Sequence, residues 1–136
     1  KKEGYGDISL LDLNGRHTLP AEISADIIGF YSNTPQFPVV LDLKRKIEAI
    51  NKNRSGIYVI GGPHVSGKPQ DAEPYFDYIV IGEGERAFLD IVNGIRSGKR
   101  LTNKMVKYDY MVNLDDIPFP DRDLVDITDY KYFRFM

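Results

Sequence analysis

Two short apolar runs of this chain stop at glycine in a way that suits ligand handling. Ile57–Ile60 opens into Gly61-Gly62-Pro63-His64, and Tyr78–Ile81 opens into Gly82-Glu83-Gly84-Glu85. Glycine at such an exit admits positive φ, or lets another group approach with no Cβ in the way. A third exit, Ser32-Asn33-Thr34-Pro35, follows the run Asp26–Tyr31 and adds two hydroxyls. Together with Asn14-Gly15 these loops would form a groove rich in backbone donors and small polar groups. In open parallel sheets ligands sit beyond the carboxyl ends of the strands, where these loops would lie.

Other chemistries find less support. Gly82-Glu83-Gly84-Glu85-Arg86-Ala87 fits the G-x-G-x-x-A variant of the dinucleotide fingerprint, between a strand and a helix. However, it follows the last strand of the alternation, and Glu83 and Glu85 would bring negative charge to the place of a pyrophosphate. Glu85 reads better as an acid at a helix N-terminus, and Glu83 as an acceptor for an amide-rich ligand. His64 alone on a loop is more often a hydrogen-bonded structural residue than a metal ligand. The chain has no cysteine and only two histidines, His17 and His64, so no metal site is expected. No Ser/His/Asp arrangement, Walker lysine or paired-carboxylate motif is identifiable by spacing, so no catalytic residue is assigned.

The chain's 136 residues suffice for one domain with its own core. With 42% hydrophobic and 28% charged residues, and a net charge of -2, it has the composition of a globular protein with no basic surface for nucleic acid. It lacks an apolar run of membrane-spanning length, and a cytoplasmic location is expected.

The elements that would position the loops alternate between strand and helix. Ile8–Leu13 and Asp26–Tyr31 read as strands, with one helical turn expected after Pro20 between them. Val40, Leu43, Ile47 and Ile50 recur at helical spacing after Pro38, with Asp42, Lys44, Lys46 and Glu48 between them. Ile57–Ile60 and Tyr78–Ile81 read as strands buried on both faces. Phe88, Ile91, Val92 and Ile95 mark one face of a last helix, stopped by Ser97-Gly98, and Lys104–Met111 is a further candidate strand. This alternation calls for a parallel sheet covered by helices. Residues 113–136 differ. Pro118 and Pro120 impose extended backbone around Phe119, and Tyr130, Tyr132, Phe133 and Phe135 crowd the end.

Taken in order, these residues resemble a known family. Ile60-Gly61-Gly62-Pro63-His64-Val65 and Asp77 to Glu85 are similar to the cobalamin-binding domain of cobalamin-dependent radical SAM enzymes. Asp26 to Thr34 resembles that family's strand and Ser-x-Thr loop, and Leu114 to Pro120 its linker into the radical SAM barrel. The resemblance implies an α/β, flavodoxin-like (Rossmann-like) parallel sheet with flanking helices over residues 1–112, and a linker over 113–136. It implies cobalamin across the strand ends, its nucleotide tail near Ser32, Thr34, Gly61 and Gly62, with Pro63, His64, Gly82, Glu83 and Gly84 completing the cofactor-binding set. A following domain would carry a 4Fe-4S cluster and use S-adenosylmethionine, for methyl transfer or for oxidative cyclisation of a magnesium porphyrin ester.

The chain departs from the family pattern in two places. It ends before any cluster cysteines, so the expectation is a non-catalytic cofactor-binding fragment whose partner is the radical SAM domain of its own parent chain. Lys1–Tyr5 looks like the end of the family's first helix, so the first strand, expected between Ile8–Leu13 and Asp26–Tyr31, is absent, as is an Asp-x-His-x-x-Gly motif. No cobalt ligand is assigned, and self-association through the open sheet edge is expected. Two alternatives stand beside this reading. One is a degenerate scaffold that docks a partner domain without cofactor. The other is a dinucleotide-binding domain resting on Gly82, Gly84 and Ala87.

Overall fold

A computed structural model describes residues 7–12, 18–53, 55–108, 119 and 124. The chain divides into a compact unit, Ala21–Val112, and a second unit made of Lys1–Pro20 and Asn113–Met136. Within the first unit the order is β1 (Ile27–Tyr31), α1 (Phe37–Ile50), β2 (Ile57–Gly61), α2 (Pro63–Gly67), a 3-10 turn (Pro69–Asp71), β3 (Tyr78–Ile81), α3 (Glu85–Arg96) and β4 (Met105–Lys107). The four strands form one sheet in the order β1-β2-β3-β4, and every pairing is parallel. The expected α/β parallel sheet with flanking helices is therefore present, and β4 falls inside the candidate strand at Lys104–Met111.

Register fixes which side chains share a face. Ile27, Gly29 and Tyr31 of β1 pair with Ile57, Val59 and Gly61 of β2, and Val59 pairs with Tyr78 of β3. Paired residues point the same way, so these lie on one face and their neighbours on the other. The first face carries a cluster of Ile57, Val59, Tyr78, Val80 and Val106 packed with Ala87 and Ile91 of α3. On the opposite face, Phe30 stacks on Tyr58 at 6.4 Å and meets Phe76 edge-on at 5.5 Å. There the Lys44 ammonium of α1 lies 4.6 Å from the Tyr58 ring centroid. Ile60 and Ile79 are completely buried.

Several elements differ from the pattern reading. Residues 7–12 form no strand, and Leu13 lies outside the described residues. No helical turn follows Pro20. Instead Ile23 bridges Asn51 in parallel, donating to the Ile50 carbonyl at 3.1 Å and accepting from Lys52 at 2.7 Å. Lys44 is on the buried side of α1 because its ammonium lies over the rings of Tyr58 and Phe76 and pairs with Glu48. In α3 the buried positions are Ala87, Ile91 and Gly94, not Phe88, which is 39% exposed. Gly94 faces a close backbone: a Cβ there would sit 2.8 Å from the Lys99 carbonyl oxygen. Ala87 and Ile91 thus pack α3 on the sheet, Gly94 makes room for the turn that follows the helix, and Phe88 is left at the rim. The expected linker and terminal aromatics lie outside the described residues, except Phe119, which is exposed, and Leu124, which is half-buried. No helix among the described residues is long and apolar enough to cross a membrane.

Candidate functional site

Parallel pairing brings the carboxyl ends of β1, β2 and β3 to one edge, with Ser32, Gly62 and Gly82 as the first residues beyond them. The first two exits interlock. Ser32 donates its N–H to the Gly61 carbonyl at 3.0 Å, and His64 donates its N–H to the Ser32 carbonyl at 3.2 Å. Gly62 has φ 107°, and a Cβ there would stand 2.6 Å from the Ser32 oxygen. Only glycine meets both demands. The Ser32 side chain is fully buried and donates to the Asn33 carbonyl at 2.9 Å. Asn33 in turn starts α1 by accepting the Gln36 N–H on its side-chain oxygen at 3.0 Å.

His64 joins the same two exits through its ring. Nδ1 lies 3.3 Å from Thr34 Oγ1, and the ring packs against Phe37 at 4.1 Å between centroids. Nε2 is buried without a hydrogen-bond partner, 3.5 Å from Asp71 Oδ2. Among the described residues no group of carboxylates and histidines is arranged to hold a metal ion.

The third exit is looser. Gly82 has φ 79° and open space where a Cβ would stand, while its N–H is taken by Ser66 Oγ at 3.0 Å. Gly84 would accommodate a Cβ in ordinary contact, 3.7 Å from Val80. A dinucleotide phosphate needs free N–H groups and close backbone approach at this loop. The first is used by Ser66 and the second is not required by Gly84, so the geometry does not favour that reading. Glu83 is half-buried, and Pro63 opens α2, where its missing N–H costs nothing.

Of the nine candidate residues, the structure joins Ser32, Thr34, Gly61, Gly62 and His64 in one hydrogen-bonded and packed group, with Pro63 beside them. Gly82, Glu83 and Gly84 lie on the neighbouring exit and reach the group through Ser66. Four contributors were missed by pattern: Phe37, Ser66, Asp71 and Gly29. Gly29 had a visible signal, since a glycine inside an apolar strand often marks a close approach of a ligand or another backbone. It lies on the α3 face together with Gly61, in a strand pair whose remaining member at the exit is Tyr31, 68% exposed. Gly29 is itself exposed. A Cβ on Gly29 would touch the Phe88 ring at 3.8 Å, and one on Gly61 would touch Val80 at 3.7 Å. The end of the β1–β2 pair therefore presents bare backbone, walled by Phe88 and Tyr31, over which an extended group can lie.

Comparison with known proteins places the chain. Residues 16–92, more than half of its length, match the model of the family described as B12 binding domain. The chain is 30% identical over 122 residues to an uncharacterized methyltransferase of Pyrococcus horikoshii, which covers 78% of this chain and 26% of that protein. It thus spans about a quarter of the length of this curated relative. The crystal structure of the N-terminal domain of a hypothetical protein from Thermotoga maritima superposes with a TM-score of 0.55 at 18% identity, covering 79% of this chain and 80% of that one, a likeness of fold. The matched residues contain the first two strand exits, the bare strip between them and the third exit beside them, and the chain belongs to the B12 binding domain family.

Proposed function

We propose that this chain holds cobalamin for an enzyme of which it is one part, and that the enzyme transfers methyl groups. The bare backbone at Gly29 and Gly61 carries this reading. It lies on one face beside two exits that are already braced by Ser32, Gly62 and His64, so a bulky tail can be received there without displacing core side chains. Thr34 would supply a hydroxyl, Gly61 and Gly29 a floor without side chains, and Tyr31 and Phe88 apolar walls, with buried Ser32 bracing the exits from within. Cobalamin, when bound, supplies the methyl-transfer or radical chemistry. The chain's own part is to bind the cofactor, orient it and leave its reactive face to a partner domain.

The relative's description as a methyltransferase supports the reaction class. The similarity of Leu114 to Pro120 to a linker into a radical SAM barrel supports a finer reading. In it, a following domain with a 4Fe-4S cluster and S-adenosylmethionine acts on substrate. The test uses the protein at its full natural length, purified and titrated with hydroxocobalamin under visible spectroscopy. A perturbed spectrum retained through desalting is expected, and its absence overturns the reading. Iron content and cleavage of S-adenosylmethionine in the same preparation decide the finer part: corrinoid without iron would leave methyl transfer and remove the radical chemistry.

A further inference from the structure

Three side chains from separate segments stand in line: Thr34 after β1, His64 in α2 and Asp71 at the end of the 3-10 turn. Thr34 Oγ1 is 3.3 Å from Nδ1 of His64, and Nε2 is 3.5 Å from Asp71 Oδ2. His64 is 6% exposed, whereas Thr34 is exposed at the proposed site and Asp71 at the surface. The imidazole is thus the buried middle of a chain with two exposed ends.

The chemistry of the ends sets the direction of the chain. A carboxylate only accepts hydrogen bonds, and a neutral imidazole carries one proton. The nitrogen facing Asp71 has no other partner. A proton on Nε2 would have the carboxylate oxygen 3.5 Å away as its acceptor, and a shift of a few tenths of an ångström brings the pair within hydrogen-bond range. A proton on Nδ1 would instead leave Nε2 as a bare lone pair facing a carboxylate. The Nε2–H tautomer then makes Nδ1 an acceptor, and the Thr34 hydroxyl must donate to it. With its proton committed inward, Thr34 Oγ1 can only accept from anything on its outer side.

From this we infer that the Thr34–His64–Asp71 chain fixes Thr34 as an acceptor at the cofactor site. His64 then serves as a positioning residue that does not itself touch the cofactor. The inference rests on the cobalamin reading and adds the class of group recognised: an N–H or O–H donor, either an amide of the corrin ring or a hydroxyl of the nucleotide tail. Asp71 becomes a contributor to ligand selection from outside the site.

The inference is tested in two arms on the full-length protein. The first needs no cofactor. Nitrogen NMR of the His64 ring is expected to show Nε2 protonated and Nδ1 bare. Asp71→Asn, whose amide can donate to Nε2, is expected to erode that preference. A dominant Nδ1–H tautomer in the unmodified protein overturns the inference even if corrinoid binds. The second arm measures hydroxocobalamin affinity. Thr34→Val, at an exposed position, is expected to fold and to bind about 3- to 10-fold more weakly, with Thr34→Ser near the parent. His64→Asn, whose side-chain oxygen can stand near Nδ1, is expected to retain more affinity than His64→Leu. Adding His64→Leu to Thr34→Val should cost nothing further. Additive losses would place His64 in direct contact with the ligand and contradict its positioning role, and an unchanged affinity in Thr34→Val would remove the acceptor. Cobinamide, which lacks the nucleotide, separates the donors: an equal penalty for Thr34→Val assigns a ring amide, and a penalty confined to hydroxocobalamin assigns the tail. Failure of the unmodified protein to bind either corrinoid overturns the cobalamin reading and, with it, the ligand named here.

Discussion

The two faces of the sheet are finished differently. On the α1 face, Phe30, Tyr58 and Phe76 pack as an aromatic group, and Lys44 lies over two of the rings. On the α3 face, β2 and β3 are covered by Ala87 and Ile91, but β1 shows Gly29 and Tyr31 exposed. The first face holds the sheet together. The second leaves part of its surface for something else to cover, at the end of the strands where two exits are already interlocked. Within that interlock the same contrast recurs at smaller scale. Gly62 and Gly82 both have positive φ, yet Gly62 is jammed against Ser32 and Gly82 stands in open space.

The contrast breaks most sharply on the sealed face. Phe76→Ala removes a ring that is 2% exposed and is expected to cost about 3–5 kcal/mol in denaturant unfolding. A loss below about 1 kcal/mol would show that this face does not carry the stability assigned to it. Gly62→Ala comes next. Its backbone, φ 107° and ψ 177°, lies in a region essentially confined to glycine, so strain alone costs about 1–3 kcal/mol, and the collision with the Ser32 oxygen adds to it. Gly82→Ala should cost only the strain, about 1–2 kcal/mol, so the two melting curves measured side by side read the extra cost of the Gly62 position, backbone and collision together. Equal losses would mean that the two exits are not differently braced.

The smallest effect concerns Tyr108, the residue after β4. The Tyr108 hydroxyl donates to Asp90 of α3, and Arg86 lies over its ring. That hydrogen bond, with lesser contributions from burial and the Asp90 charge, holds the phenol above its usual range. Because the folded value is raised, the stabilisation is complete below about pH 10, the unfolded value, and is lost as pH climbs through the folded one. Tyr108→Phe should lower the melting temperature slightly at neutral pH, where the hydrogen bond is intact, and flatten the alkaline limb, so that the two proteins converge at high pH. An unaltered alkaline limb would show that the pair contributes nothing.

Much of this was visible in the residues. Ile57–Ile60 and Tyr78–Ile81 were legible because strands buried on both faces need continuous apolar runs, and glycine ended each one. The exits followed from them, since parallel pairing sends all strand ends to one edge. What pattern could not supply was partnership across sequence distance. Spacing sets Lys44 between the apolar positions of α1, and the rings of Tyr58 and Phe76 that its ammonium meets lie far along the chain. Spacing also sets Phe88 with Ile91, Val92 and Ile95 on one helix face, whereas the folded helix buries Ala87 and Ile91 against the sheet and leaves Phe88 at the rim. Asp71 carries no local signal at all: its relation to His64 exists only once α2 and the 3-10 turn are folded. The strand expected at Ile8–Leu13 had suitable composition, but residues 7–12 make no ladder.

The central claim is that the bare backbone at Gly29 and Gly61 receives the cobalamin. Its most direct test compares the full-length protein with Gly29→Val by hydroxocobalamin titration and thermal melting together. Valine suits a strand, and its Cβ would meet only the rim ring of Phe88 at ordinary contact distance, 3.8 Å. The account predicts a melting temperature near the parent's and an affinity reduced by about tenfold or more, as side-chain bulk fills space needed by the ligand. Equal affinity in both proteins, with both folded, would contradict it.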